Sequence, residues 1–393
     1  MFSKKVLDLE PAFVAWRRYL HAHPELSFEE FETTQFLVRE LEKLEGVAIS
    51  RPTKTGVVAT IRGKKEGKGR CVAFRADIDA LPIREDTDLP FRSCKPGVMH
   101  ACGHDGHAAI ALAACILLAG EREDLCGEVR FLFQHAEEKP PGGAVEMLRA
   151  GVMEGVDELY GLHLSSSFPT GTFGVRAGAL TSATDRFEIH ILGSEGHSAF
   201  PELCIDPVVT AAEVIGALQT IVSRKIAAAE PAVVSVCHME AGNVYNVIPA
   251  EATLVGATRT FGEETRTRLP LVMEQIVRGI CSAHGASYTF DFQKGYASVI
   301  NDPELTRQGR ERIERVFGPQ AVLEIGPLMP GEDFSALQKN CPGFFVELGA
   351  GNAEKGCNIP HHNRLYKMDE DALRYGVEYL YRTLKERLTR ADG

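Results

Sequence analysis

The stretch that most constrains this chain is Met99-His100-Ala101-Cys102-Gly103-His104-Asp105-Gly106-His107, where nine positions carry one cysteine, three histidines and an aspartate. An apolar helical run, Ala108 to Ala119, follows it directly. Cys102 and His104 sit two apart on a glycine-containing turn, so both side chains can converge on one ion. A thiolate and an imidazole suit zinc or a neighbouring first-row metal, not calcium or magnesium. Taken alone, the pair also reads as a buried cysteine beside a helix-capping histidine. A metal reading therefore needs a fold that delivers further ligands from distant parts of the chain.

The apolar pattern supplies such a fold. Leu9 to Leu44 reads as helical, with Phe13, Trp16 and Leu20 on one face, and is broken by His21-Ala22-His23-Pro24-Glu25-Leu26. Val57–Ile61 and Cys71–Phe74 read as short strands, and Val129–Phe133 as a strand covered on both faces. Gly142-Gly143 opens another helix, and Leu159–Leu162 is a further buried strand. Strands alternating with helical runs predict an α/β layer on a mixed, partly parallel sheet. Asp77, Glu137, Glu138 and His163 are each expected just past a strand's C-terminal end, the edge where open α/β sheets place ligands.

A chain of 393 residues is long for one core, and two domains are expected. From Ala177-Gly178 the order becomes strand, helix, strand, strand, helix, strand, ending near Phe292, which is the ferredoxin-like βαββαβ sandwich. Its first helix starts at Asp206, the N-cap, with Pro207 at the first helical position. The α/β pattern resumes after Gly295 with a strand Phe344–Leu348 and a helix from Asp369 to about Leu388. The reading is a discontinuous catalytic domain, 1–179 and 294–393, with a domain at 180–293 inserted into it.

Composition narrows the function classes. A net charge of -11 leaves no basic stripe for nucleic acid. No apolar run reaches membrane-spanning length, and Asp8, Glu10, Arg17 and Arg18 interrupt any signal-like core after Lys4-Lys5. Ten cysteines without paired spacing read as reduced thiols, so a cytoplasmic protein is expected.

The remaining candidates are weak singly and stronger together. At Glu137-Glu138 the side chains diverge, so one can bind metal while the other acts as general base; alone they read as a solvated pair. His163 alone reads as a satisfied buried histidine, and His361-His362 as a surface loop. Cys102, His104, Glu138, His163 and one of His361/His362 make a set sufficient for two metals sharing a ligand.

These residues lie in motifs that resemble a known family. They are His23-Pro24-Glu25-Leu26-Ser27, Arg75-Ala76-Asp77-Ile78-Asp79-Ala80-Leu81-Pro82, Met99 to His107, Gln134 to Glu138, Gly196-His197-Ser198-Ala199, Asn246-Val247-Ile248-Pro249, Gly331-Glu332-Asp333-Phe334 and His361-His362. In this order they resemble the di-metal amidohydrolases that include hippurate hydrolases, bacterial aminoacylases and auxin-conjugate hydrolases, within the aminoacylase/glutamate carboxypeptidase clan. The resemblance implies a di-metal exopeptidase-like domain and an inserted lid or dimerisation domain. It implies two divalent ions (Zn, Mn, Co or Ni) on Cys102, His104, Glu138, His163 and His361, the first of the histidine pair. Glu137 would be general base and acid on a water held between the metals, and Asp77 would orient a ligand histidine. His197 would stabilise the oxyanion, reaching a neighbouring subunit's site; Asn246 and Arg259 would contact the substrate carboxylate. Read alone, His197 is a loop histidine and Arg259 a surface residue. Asn363 and His135 stand where the family often has proline. The implied activity is cleavage of N-acyl-L-amino acids by a homo-oligomer, a dimer or dimer of dimers. A metallo-dipeptidase or carboxypeptidase and a catalytically silent binding module are the alternatives.

Overall fold

The computed structural model describes residues 2–389. The chain divides into two compact units: Met1–Leu180, Ile300–Gly326 and Asp333–Gly393 form one, and Thr181–Val299 with Pro327–Glu332 the other.

The first unit is built on an eight-stranded sheet. Its strands run, in spatial order, Val47–Ser50, Val57–Arg62, Gly127–Gln134, Arg70–Asp77, Glu158–Pro169, Gly343–Gly351, Phe173–Val175 and Val322–Glu324. The four central strands are parallel and the flanking pairs mostly antiparallel. Parallel strands need helical crossovers, which cover both faces, so consecutive residues are buried: Phe131, Leu132 and Phe133 are all fully inaccessible. The helix His104–Ala119 is apolar all round and almost wholly buried, as a helix must be when it packs between a sheet and other helices. Helices Lys4–Ala22 and Asp371–Thr389 lie against it. The helical pattern from Leu9 to Leu44 resolves into Lys4–Ala22 and Phe31–Leu41.

One expectation about strand ends is corrected. Asp77 closes its strand and Glu137-Glu138 follow theirs, but His163 lies inside Glu158–Pro169. Parallel pairing with Gly343–Gly351 runs through His163↔Glu347 and beyond, which carries the strand past the apolar run that marked it in the sequence.

The second unit has a four-stranded antiparallel sheet ordered Ala232–Ala241, Glu251–Thr260, Ala183–Leu192, Ser287–Lys294. With helices Pro207–Leu218 and Glu263–His284 it has the βαββαβ connectivity and the 2-3-1-4 strand order of a ferredoxin-like sandwich. Asp206 caps its helix as expected, its Oδ1 accepting from Val208 N at 2.8 Å. Burial alternates strictly along Glu251–Thr260, so one sheet face makes the core with the helices.

Candidate metal centre

Gly103 precedes the buried helix with φ of +97°, a left-handed conformation that glycine adopts without strain. That turn sends His104 into the first helical position and Cys102 onto the loop before it. At Gly106 a Cβ would come within 2.4 Å of Leu164 Cδ1, so only glycine lets the helix approach the Glu158–Pro169 strand this closely. The approach brings Cys102 Sγ to 3.4 Å from His163 Nε2.

Each histidine's far nitrogen is committed to an acceptor, which decides what its near nitrogen can do. His104 Nδ1–H donates to the Asp79 carbonyl at 2.9 Å, leaving Nε2 buried without a hydrogen-bond partner, 3.6 Å from Asp77 Oδ2 and 4.0 Å from Glu138 Oε1. His163 Nδ1–H donates to the Leu164 carbonyl at 2.9 Å, so its Nε2 faces Cys102. Anchoring the outer nitrogen is how proteins fix the tautomer and orientation of a ligand histidine. Asp79 itself is fixed by Ser27 Oγ at 2.7 Å and by the Glu138 N–H at 3.0 Å.

Four donor sets lie wholly within the first unit, each with ligand atoms within 4.8 Å of one another: Cys102/His104/His163, Cys102/Glu138/His362, His104/Glu137/Glu138 and Asp77/His104/His107. In the last, Asp77 and His107 are already partnered. His107 Nδ1–H donates to Asp77 Oδ1 at 2.5 Å and its Nε2 accepts from the Leu164 N–H at 2.8 Å. Asp77 also accepts from Arg75 Nη1 at 2.7 Å. The carboxylate expected to orient a ligand histidine thus holds His107, while the backbone carbonyl of Asp79 receives the His104 proton. Neither Asp79 nor His107 was among the sequence candidates, although both lie in quoted motifs. His107, one turn from His104, was the available signal.

Of the paired histidines, the structure turns His362 rather than the expected His361 toward this cluster. His361 Nε2–H donates to the Leu164 carbonyl at 2.9 Å, whereas His362 Nε2 lies 3.2 Å from Glu138 Oε1. The physical cause is a backbone reversal: His362 has φ of +59° and its N–H is held by the Ala101 carbonyl at 2.9 Å, turning its ring and not that of His361 toward Cys102 and Glu138. His135 is a satisfied interior group, with Nε2 3.0 Å from Glu146 Oε2.

The electrostatics call for a cation. Burial opposes charge on His104, but Asp77 and Asp79 outweigh it and push its pKa up to about 10. Burial, then Glu138, Glu137 and Asp77, hold the Cys102 thiol well above its ordinary value. Burial, with His107 and His361 alongside, keeps His163 well below the usual imidazole range, and His362 is raised by its contact with Glu138. Without a cation the carboxylates draw a proton onto His104. The orphaned Nε2 of His104, with the Glu138 carboxylate, the Cys102 sulfur and the His163 imidazole beside it, fits a zinc-type divalent ion.

In the second unit His197 and Asn246 come together on a two-stranded ribbon. Val247 pairs with His197, and the Ser198 N–H donates to the Asn246 carbonyl at 3.1 Å. His197 is exposed and its Nδ1 accepts from the Ala199 N–H at 3.0 Å. Arg259 stands toward the far end of Glu251–Thr260, roughly 26 Å from Glu251 at the usual strand rise. Within one chain it does not join that ribbon.

Comparison with known proteins places this geometry. The model of peptidase family M20/M25/M40 matches residues 73–386. An N-acyl-L-amino acid amidohydrolase of Geobacillus stearothermophilus is 50% identical over 82% of this chain and 90% of its own. An N-acetylcysteine deacetylase of Bacillus subtilis is 42% identical over 92% and 93%. A dinuclear metal-binding M20 peptidase of Bacillus subtilis superposes with a TM-score of 0.84 at 38% identity, covering 97% of this chain and all of that one (100%). The chain belongs to peptidase family M20/M25/M40.

Proposed function

We propose that this protein is a metal-dependent amidohydrolase that cleaves N-acyl-L-amino acids to a carboxylic acid and a free amino acid. The observation that carries the reading is Glu137, a buried carboxylate within 4.8 Å of the ligand atoms of His104 and Glu138 that belongs to neither Cys102-centred donor set. The two relatives named for acyl-amino acid cleavage set the substrate class.

Two divalent ions would be held by Cys102, His104, Glu138, His163 and His362, with Cys102 common to both donor sets and so placed to be shared. When bound, such ions polarise an amide carbonyl and acidify water. Zn, Mn, Co and Ni all accept sulfur, nitrogen and oxygen donors, and availability selects among them. Glu137 takes a proton from water as the water oxygen bonds to the amide carbon. It then delivers that proton to the amine nitrogen as the C–N bond breaks, so one carboxylate serves as base and then as acid. His197 stabilises the oxyanion in the site of a neighbouring subunit, and Asn246 and Arg259 hold the substrate carboxylate. This makes the active form a homo-oligomer, a dimer or dimer of dimers, with a small-molecule substrate. The ten free cysteines support a reducing, cytoplasmic location; no helix among the described residues is long and apolar enough to cross a membrane.

The test is release of amino acid from a panel of N-acyl amino acids and dipeptides by protein stripped of metal and reloaded with Zn, Mn, Co or Ni. Metal-dependent cleavage of acylated substrates is expected, and Glu137→Gln should lower kcat by about 10²–10⁴-fold with metal content retained. Cleavage of dipeptides alone would move the assignment to a peptidase, the activity named for the dinuclear neighbour.

A further inference from the structure

Among the described residues, three non-glycine residues have left-handed backbone: Phe28 at φ +69°, Ala136 at +52° and His362 at +59°. Such conformations persist only where neighbouring structure holds them, and they gather at functional sites. His362 is a candidate ligand, and Ala136 immediately precedes Glu137-Glu138. Phe28 belongs to the segment between the first two helices, next to the Ser27 that fixes Asp79. One atom links two of the three. Glu30 Oε1 accepts from the Phe28 N–H at 3.0 Å and from the Ala136 N–H at 2.8 Å. Glu30 is fully buried, with no accessible surface, so water cannot replace either bond.

We propose that Glu30 is a positioning residue: its carboxylate clamps Ala136 in the left-handed conformation and thereby aims Glu137 and Glu138 into the metal centre. The same segment touches the centre a second time, where Ser27 Oγ donates to Asp79 Oδ2, the carboxylate oxygen that also receives the Glu138 N–H. Parallel pairing of Leu26 with Ala80 fixes the segment beside Asp79, and Glu25 caps the next helix through Glu32 N and Thr33 N at 3.1 and 2.7 Å. Without the Glu30 acceptor the Ala136 N–H is buried and unpaired. Its backbone then relaxes to negative φ, rotating the two glutamates that follow. Burial and the nearby Asp79 raise the Glu30 pKa to about 7, and either protonation state leaves Oε1 able to accept. This inference rests on the metal-dependent amide hydrolysis proposed above.

The experiment compares Glu30→Leu, Glu30→Asp and Glu30→Gln, each with and without Ala136→Gly, for kcat, KM and the Zn dissociation constant. Glu30→Leu should lower kcat by about 10–100-fold and weaken Zn binding, with KM changed little. Glu30→Gln keeps an acceptor oxygen and should stay within a few-fold of wild type. Ala136→Gly should restore much of both losses, because glycine holds φ above zero without a clamp. Elsewhere glycine only loosens a chain, so the same substitution added to the core variant Phe131→Ala should restore nothing. If Glu30→Leu yields no folded protein, Glu30→Asp, whose acceptor is withdrawn by one methylene, takes its place with the same rescue. Wild-type kcat and Zn affinity in the Leu or Asp variant, or losses that glycine does not relieve, would overturn the clamp. So would a Gln variant as inactive as the Leu variant, which would mark a proton carrier. A wild-type protein inactive on every N-acyl substrate would instead overturn the hydrolysis reading, while the Zn-affinity arm still judges the clamp.

Discussion

The two sheets of this chain bury their side chains by different rules. In the eight-stranded sheet the central strands are covered on both faces, and neighbouring residues such as Phe131 and Leu132 are equally inaccessible. In the four-stranded sheet neighbours differ: Leu254 is fully buried while Val255 is partly accessible. Double cover gives an interior where carboxylates, imidazoles and a thiol can be held dry against one another, with large consequences for their protonation. Single cover leaves a face open and tolerates polar residues at every second position. The metal centre belongs to the first kind of sheet. On a ribbon of the second unit, His197 is exposed and Asn246 partly so.

The largest test of this contrast is in the cores. Phe131→Ala should cost about 3–5 kcal/mol and Leu132→Ala about 2–5 kcal/mol, measured by denaturant unfolding, because both faces lose packed atoms. In the other unit Leu254→Ala should cost about 2–5 kcal/mol but Val255→Ala under about 1 kcal/mol. Equal costs at Leu254 and Val255 would mean that the open face is covered in solution.

A smaller effect reads the dry interior directly. The metal-free site holds protons on His104, raised to about 10, and on Cys102, raised above its ordinary value, so an entering ion must displace both. Affinity should therefore rise with pH between roughly pH 6 and 8, by a factor of about ten per pH unit for each proton displaced. Zinc titration calorimetry in buffers of different ionisation enthalpy should register the released protons. Binding without proton release would show that neither group is a ligand.

The smallest effect lies at a helix end in the singly covered unit. Asp206→Ala removes the acceptor for Val208 N and should cost about 1 kcal/mol by thermal unfolding. An unchanged midpoint would mean that water takes over the cap.

How much of the site could be read beforehand depends on how local each signal is. Cys102 and His104 share one turn, and Glu137-Glu138 follow an apolar strand, so periodicity and spacing were enough to single them out. His163 was named for the wrong position, because the end of its strand is set by a partner almost two hundred residues away at Glu347. His361 was preferred to His362 on the order of the resembled family's motif, and adjacent histidines differ only in the direction their backbone sends them. That direction depends on the Ala101 carbonyl and a left-handed φ. Asp79, His107 and Glu30 act through hydrogen bonds to backbone groups, which leave no trace in hydrophobic pattern or composition.

By itself the sequence determined the class of fold, the ferredoxin-like order of the second unit and the chemistry of the donors. Those follow from periodicity, turn residues and ligand type, properties of short stretches that hold wherever the stretch is placed. The tertiary structure alone decided which imidazole nitrogens stay free, which of two neighbouring histidines faces the centre, and that a glutamate from the segment between the first helices grips the loop of Glu137. Each of these is a contact between backbone and side chain across long sequence separation, and such contacts exist only once the sheet has set its register.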